Sequence, residues 1–321
     1  MTSQPFTILA AAHELPCRVV TNDELAAQMD TSDEWIRQRT GIHTRHIAAP
    51  DQTTSTLSTS VAQKLLHQSG VAPDQISYIL VATMSPDYAT PATAAQVQGN
   101  IGATNAVAFD LSAACSGFVY GLHVMAKLLA GAAPGYGIVL GGETLSRLVD
   151  WQDRSTAVLF GDGAGGVLVT NDPAAGNGQY LGDDLHTLGD QGAYLTARQL
   201  GGSDPDPYLR MNGRKVYSFA TRHVPRSLTA GVTQAGLSLT AVDYFLLHQA
   251  NARIIQQVAK ELDQPLAKFP QNIATVGNTA AASEPILLST EIADRRIQRG
   301  QTLALCGFGG GLTVGTVILR Y

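Results

Sequence analysis

The sequence predicts an α/β fold, mostly parallel sheet with helices on its faces, assembled from two duplicated halves. Two observations carry this prediction. Short β-rich runs alternate with helical periodicities through the first half, as parallel strands joined by crossover helices do. After a polar stretch rich in Gly, Asp and Pro (171–207), the same rhythm returns. The division is placed between residues 1–172 and 173–321.

The run Phe6 to Ala12 is a short first strand, and Ile76 to Thr83 (ISYILVAT) is a buried one. A helix is predicted over Thr93 to Ile101 and a strand over Ala106 to Leu111. Phe118, Val119, Leu122, Met125, Ala126 and Leu129 mark one face of the next helix. Tyr136 to Leu140 and Thr156 to Phe160 read as strands, and Gly165 to Thr170 as the return strand. In the second half, helices are expected over Val216 to Ala230, Ala252 to Leu262 and Ala281 to Arg296. Strands are expected over Asp243 to Leu247, Thr302 to Cys306 and Val314 to Leu319.

With 45% apolar and 15% charged residues, the chain is globular rather than disordered. A net charge of −5 gives no reason to expect nucleic-acid binding, so any basic docking site is a local patch. Only three cysteines occur, Cys17, Cys115 and Cys306, which points to a reducing compartment. No Lys or Arg precedes Arg18, so the N-terminus reads as a strand rather than a signal peptide. No stretch is long and apolar enough to span a bilayer. A cytoplasmic enzyme is expected.

Three separated stretches each hold one reactive side chain among small residues: Asp110 to Gly117 around Cys115, His248 to Asn251, and Gly277 to Ala280 around Asn278. A thiolate attacks a thioester, and an imidazole with an amide stabilises the oxyanion that follows. Cys115 follows a strand and opens a helix, where free N–H groups and the dipole are expected to lower its pKa. His248 stands where a strand runs out, the usual ligand side of a parallel sheet. Alone, a cysteine is usually structural, a histidine a cap and Gly-Asn-Thr a turn; the three motifs together outweigh those ordinary assignments.

Gly161, Gly163 and Gly166 match a dinucleotide fingerprint, but a strand follows where that fingerprint needs a helix, and it is rejected. Gly307-Phe308-Gly309-Gly310-Gly311 leads into a strand and allows backbone N–H groups to approach an acyl group. No Cys/His cluster has metal-site spacing, so no metal is expected.

From about Thr21 to Tyr321, these motifs and several others resemble the β-ketoacyl-acyl-carrier-protein synthase III family. The others are Thr31 to Ile36 (TSDEWI), Arg39 to Ile42 (RTGI), Phe160 to Ala164 (FGDGA) and Met211-Asn212-Gly213. The resemblance implies a thiolase-like five-layered α/β/α/β/α fold, a homodimer, and two half-reactions without a cofactor, coenzyme A thioester being substrate. Cys115 takes the acyl group from an acyl-CoA primer. Malonyl-acyl-carrier-protein then loses carbon dioxide, and the carbanion attacks the acyl-Cys115 thioester. His248 and Asn278 would stabilise the enolate, the N–H groups of Cys115 and Gly310 would form the oxyanion hole, and Phe308 would favour decarboxylation.

The same resemblance places coenzyme A against Trp35, Arg39 and Arg154, and its pantetheine arm along Thr31, Gly213, Ala250 and Asn251. Gln249, Arg253, Arg214, Lys215 and Lys260 would dock the acidic carrier protein. Thr90 would help close the acyl pocket of the second subunit. Four positions depart from the usual pattern: Ala280 for serine, Glu284 for an apolar residue, Val314 for tryptophan and Ser218 for a basic residue. A thiolase needs a second cysteine beside the glycine run, and Cys306 is out of step by Gly307-Phe308. An elongating synthase needs a histidine where Asn278 stands. A specialised acyltransferase with another acceptor and a non-enzymatic binding module are the remaining alternatives.

Overall fold

The computed structural model describes residues 4–198 and 205–321. Strands β1 (Thr7–Glu14), β2 (Ile76–Ala82), β3 (Val107–Leu111), β4 (Tyr136–Glu143) and β5 (Gly163–Thr170) form one sheet in the order β1-β5-β4-β2-β3. Strands β6 (Gln179–Thr187), β7 (Tyr244–Leu247), β8 (Thr302–Gly309) and β9 (Thr313–Arg320) form the second. Its order is β6-β9-β8-β7, with the short strand Gln4–Pro5 added at the β6 edge. Each sheet repeats one pattern. A parallel pair (β2 with β4, β7 with β8) is followed by an antiparallel return strand (β5, β9) and an antiparallel neighbour (β1, β6). This repetition is the structural form of the duplication expected from the sequence.

Helices α1 (Asp33–Thr40), α2 (Thr54–Ser69), α3 (Thr93–Ile101), α4 (Gly117–Leu129), α5 (Gly213–Gln234), α6 (Ala252–Glu261) and α7 (Ser283–Ala293) complete the frame. Both α4 and α7 touch both sheets and form the middle layer; α2 and α3 cover the first sheet, α5 and α6 the second. The result is the five-layered α/β/α/β/α arrangement. The middle layer buries Phe118, Leu122, Met125, Leu287 and Leu288 against Leu80, Val139, Leu246, Leu305 and Val317. A helix enclosed on two sides must be apolar around most of its surface, and α7 is largely enclosed: eight of its eleven residues are buried.

Local signals set the ends of these helices. Thr53 and Thr56 form a capping box before α2, which ends at left-handed Gly70. Asp110 of β3 accepts the N–H groups of Thr93 and Ala94, both at 2.7 Å, and so caps α3 from the neighbouring strand.

Two expectations need correction. Thr156 to Phe160 is not a strand. Asp153 accepts the Ser155 N–H and starts the short helix Arg154–Ala157, and only Phe160 pairs, in an isolated bridge to Asn278. The polar stretch after residue 170, read from its composition as the boundary between the halves, contains β6, an inner strand of the second sheet. Gly182, Asp183 and Asp184 hid it from hydrophobic patterning. Positions 199–204 of that stretch lie outside the described residues.

Because Leu287 is fully enclosed in the middle layer, Leu287→Ala leaves a cavity that neither sheet can collapse to fill. It should cost about 2–5 kcal/mol in denaturant unfolding. A loss below that range would show that the middle layer repacks.

Candidate active site

The carboxyl ends of strands from both sheets face one cavity. Cys115 comes after β3, His248 directly after β7, and Phe308, Gly309 and Gly310 at the end of β8. The cavity is lined by Cys115, His248, Asn278, Phe308 and Gly309, together with apolar walls that include Met84, Leu159, Phe160, Leu195, Leu209 and Met211. The fold therefore unites three residues that lie up to 163 positions apart in the chain.

Cys115 occupies the single turn Ala114–Ser116 that opens α4, and Ala114 before it is held at a φ of 45°. A left-handed alanine costs on the order of 1–3 kcal/mol and persists only where its surroundings enforce it. Here Gly309 and Gly310 leave room for it. A Cβ on Gly309 would stand 2.9 Å from Cys115 Sγ, and one on Gly310 would stand 3.1 Å from Ala114 Cβ. Thr313 donates to the Gly310 carbonyl at 2.9 Å and lies 2.8 Å from the Ser116 hydroxyl. This fixes the peptide so that the N–H groups of Gly310 and of Cys115 itself face the sulfur.

Asn278 is positioned by the first half of the chain. Its backbone pairs with Leu159 and Gly161 at 2.9 Å each, the bridge in which Phe160 takes part. A Cβ on Gly161 would collide with the Val276 carbonyl, so only glycine permits this approach. Asn278 Oδ1 accepts the Ala280 N–H at 2.9 Å, which leaves Nδ2 as the donor for the cavity. Beneath the loop lies Arg45, fully buried, donating to Val20 O, Asn22 Oδ1 and Val158 O. Sequence reasoning missed Arg45, and a charged residue in a β-rich TRHI run is the only signal it offered.

The electrostatics depart from expectation at the nucleophile. The thiol of Cys115 is pushed up, not down. Burial does most of this, and the buried carboxyl groups of Glu143 and Glu284 add to it; the two backbone N–H groups oppose them without prevailing. His248 is 1% exposed, and its Nδ1 has no partner among the described residues. Burial pushes its pKa down to about 3. Its ring meets Phe308 edge to face at 5.2 Å. At neutral pH the site therefore holds a thiol and a neutral imidazole rather than an ion pair. Glu143, also missed, ends β4 and gathers the Met84 N–H with the Thr83 and Ser85 hydroxyls; burial raises it to about 7.

The other predicted residues take several places. Gly213, Ala250 and Asn251 line the cavity. Asn251 also caps α6 through the Arg253 N–H and donates to Arg39 O at 3.0 Å. Outside the cavity wall, Trp35 carries Arg39 on its ring at 5.6 Å and Arg154 at 5.4 Å, with Thr31 just before the Ser32 cap of α1. Arg214, Lys215, Arg253 and Lys260 are exposed, as docking requires. Gln249 is not. It is fully buried, donating to Leu247 O and accepting the Asn272 N–H, so it cannot reach a carrier protein. Thr90 lies on an exposed loop beside Tyr88 and does not line this chain's own cavity.

Two family descriptions match the sequence. These are 3-oxoacyl-[acyl-carrier-protein] synthase III at residues 109–189 and the C-terminal part of the same synthase at 232–321. The chain is 58% identical to the β-ketoacyl-[acyl-carrier-protein] synthase III of Levilactobacillus brevis and 55% identical to that of Lactobacillus helveticus, with all of each chain covered. The fold matches the crystal structure of 3-oxoacyl-[acyl-carrier-protein] synthase III from Aquifex aeolicus with a TM-score of 0.92, at 38% identity over the whole of both chains.

The depressed proton affinity of His248 has a consequence for stability. The unfolded imidazole binds a proton below pH 6.5, whereas the folded one resists until about pH 3. The contribution is thus present above pH 6.5 and lost as the pH falls toward 3. In calorimetric scans below pH 6.5, His248→Asn should lose melting temperature less steeply than the wild type. Parallel slopes would show that His248 protonates freely in the fold.

Proposed function

The chain belongs to the 3-oxoacyl-acyl-carrier-protein synthase III family, and from that membership we propose how Cys115, His248 and Asn278 divide its two half-reactions. The enzyme condenses an acyl-CoA primer with malonyl-acyl-carrier-protein, releasing coenzyme A and carbon dioxide, and so initiates fatty-acid synthesis. The observation that carries the assignment is the shared cavity, with two N–H groups aimed at the sulfur.

In the first step Cys115 Sγ attacks the primer carbonyl. The thiol proton passes to the departing coenzyme A sulfur. In the second, malonyl thioester binds with its carbonyl oxygen toward the His248 N–H and Asn278 Nδ2. Phe308 presents an apolar wall that a carboxylate leaves readily as carbon dioxide. The enolate carbon attacks the acyl-Cys115 carbonyl, whose oxyanion meets the Cys115 and Gly310 N–H groups. The sulfur departs as a thiolate and takes up a proton from solvent, since its first proton left with coenzyme A.

The arginine-flanked Trp35 suits an adenine and its phosphates, with Thr31, Gly213, Ala250 and Asn251 along the pantetheine arm. The exposed Arg214, Lys215, Arg253 and Lys260 suit an acidic carrier. β3 pairs on one side only and exposes Val107 and Phe109 at 57% and 36%, a surface suited to a second copy of this chain. We retain 172/173 as the division between halves. We place the enzyme in the cytoplasm because its chemistry needs Cys115 as a free thiol, and reducing compartments keep thiols free. No described helix is long and apolar enough to cross a membrane.

Mutation should separate the half-reactions. Cys115→Ala should form no acyl-enzyme with acetyl-CoA by intact-protein mass spectrometry. His248→Ala and Asn278→Ala should still acylate but release carbon dioxide from malonyl carrier on the order of a hundredfold more slowly. Unchanged release in both would refute the assignment.

Primer length provides a second test. Threonine at position 90 occupies less space than phenylalanine, so the pocket it faces across the dimer should admit four-carbon and branched acyl-CoA about as well as acetyl-CoA. Thr90→Phe should penalise those primers by about 1–3 kcal/mol. Steady-state rates with acetyl-, butyryl- and isobutyryl-CoA measure this, and a wild type confined to acetyl-CoA would disprove it.

A further inference from the structure

Glu284 is an ionisable residue whose surroundings are those of an apolar one. It lies in the first turn of α7, fully buried in the middle layer. Neither carboxyl oxygen has a hydrogen-bond partner among the described residues. Its location is specific. A Cβ on Gly307 would stand 2.8 Å from Glu284 Oε1, 2.7 Å from Ser116 Cα and 3.1 Å from the Cys115 carbonyl oxygen. One glycine therefore separates the carboxyl group from the peptide that carries the nucleophile.

The groups around it offer no compensating positive charge. From the start of α4 it meets the Cys115 thiol, and from β8 the Cys306 thiol; both are pushed up partly by Glu284 itself. Glu143 at the end of β4 also acts on Cys115, and Asp184 of β6 acts on Cys306. His248 after β7 is neutral at neutral pH. Every charge these groups could add to the site is negative, save a proton on His248.

We propose that Glu284 is a positioning residue of the acyl-transfer site, a buried carboxyl group behind the Cys115–Ser116 peptide that shares one charge balance with the thiol, so that the two resist being ionised together. Two negative charges in a buried layer interact strongly, and their protons leave in coupled steps. Burial alone already holds Glu284 in its protonated form well above the ordinary carboxylate range. Where the pH rises far enough for Glu284 to ionise, its charge holds Cys115 a thiol, and a thiol reacts with stray electrophiles and oxidants far more slowly than a thiolate. The thiolate then arises within acyl transfer, where the proton leaves with the coenzyme A sulfur.

The test reads the thiol directly. In a Cys17→Ser background, which removes the exposed cysteine, the rate of iodoacetamide alkylation at Cys115 is followed against pH by peptide mass spectrometry. Glu284→Gln removes the ionisable group at constant shape. Glu284→Leu replaces it with an apolar side chain of similar volume, as its buried surroundings suit, and guards against loss of folding. Both variants should alkylate at lower apparent midpoint pH, on the order of tenfold faster at mildly alkaline pH. An unchanged midpoint in either folded variant would overturn the proposal and make Glu284 a packing residue. The inference rests on Cys115 being the nucleophile of the proposed reaction, but alkylation does not require that reaction. A shifted midpoint in an enzyme unable to condense would keep this inference and remove the functional one.

Discussion

Close approach of backbones at the centre of the molecule is the constraint on which the site depends. A Cβ on Gly141 would collide with the Ala281 carbonyl oxygen, and one on Gly117 would fall 2.7 Å from Ala82 Cβ. Strand β4, the start of α4 and the turn before α7 therefore meet with almost no side-chain volume between them. That contact joins the half of the chain that carries Cys115 to the half that carries Asn278. Both neighbouring turns contain a left-handed alanine, Ala114 and Ala280, with φ of 45° and 43°. The surrounding layers hold these conformations in place, which is how a packed frame presets a site.

The same enclosure sets the charge state. A cavity lined by Phe160, Phe308, Leu195 and Leu209 disfavours every ion in it. Cys115 is held as a thiol, His248 as an imidazole, and Glu143 shares its proton at near-neutral pH. Such a site does not store charge. In the reaction proposed above it would present fixed N–H donors, from Gly310, Cys115 and Asn278, to charge that develops during reaction, and donors of this kind need no reorganisation when that charge appears. Glu143 adds rigidity by gathering the 83–85 loop at its carboxyl group, so the wall that includes Met84 is tied to the end of β4.

Much of this was legible in the chain before folding. Strand–helix alternation, the strand-to-helix position of Cys115, and His248 at a strand end are short-range patterns, and each reappears in the structure. Hydrophobic periodicity fails where burial is not periodic. Strand β6 carries Gly182, Asp183 and Asp184, and its place in the sheet comes from pairing with β9 at the far end of the chain, Gly182 beside Ile318 and Thr187 beside Thr313. Thr156 and Phe160 have strand propensity, but the Asp153 cap turned the chain into a helix first.

Residue identity thus decided the chemistry available: one nucleophilic sulfur, one imidazole, one amide, and glycines where backbones must touch. It could not decide the proton affinities. The helix position of Cys115 favours a thiolate, a local effect readable from the chain, yet burial and two carboxyl groups from β4 and α7 outweigh it. Those groups lie 28 and 169 residues away from Cys115 in sequence, Glu143 and Glu284 respectively. Gln249 shows the same limit, since beside His248 it resembled a surface contact and proved to be a buried brace between Leu247 and Asn272. Desolvation depends on everything packed around a group, and that is a property of the assembled layers rather than of any segment.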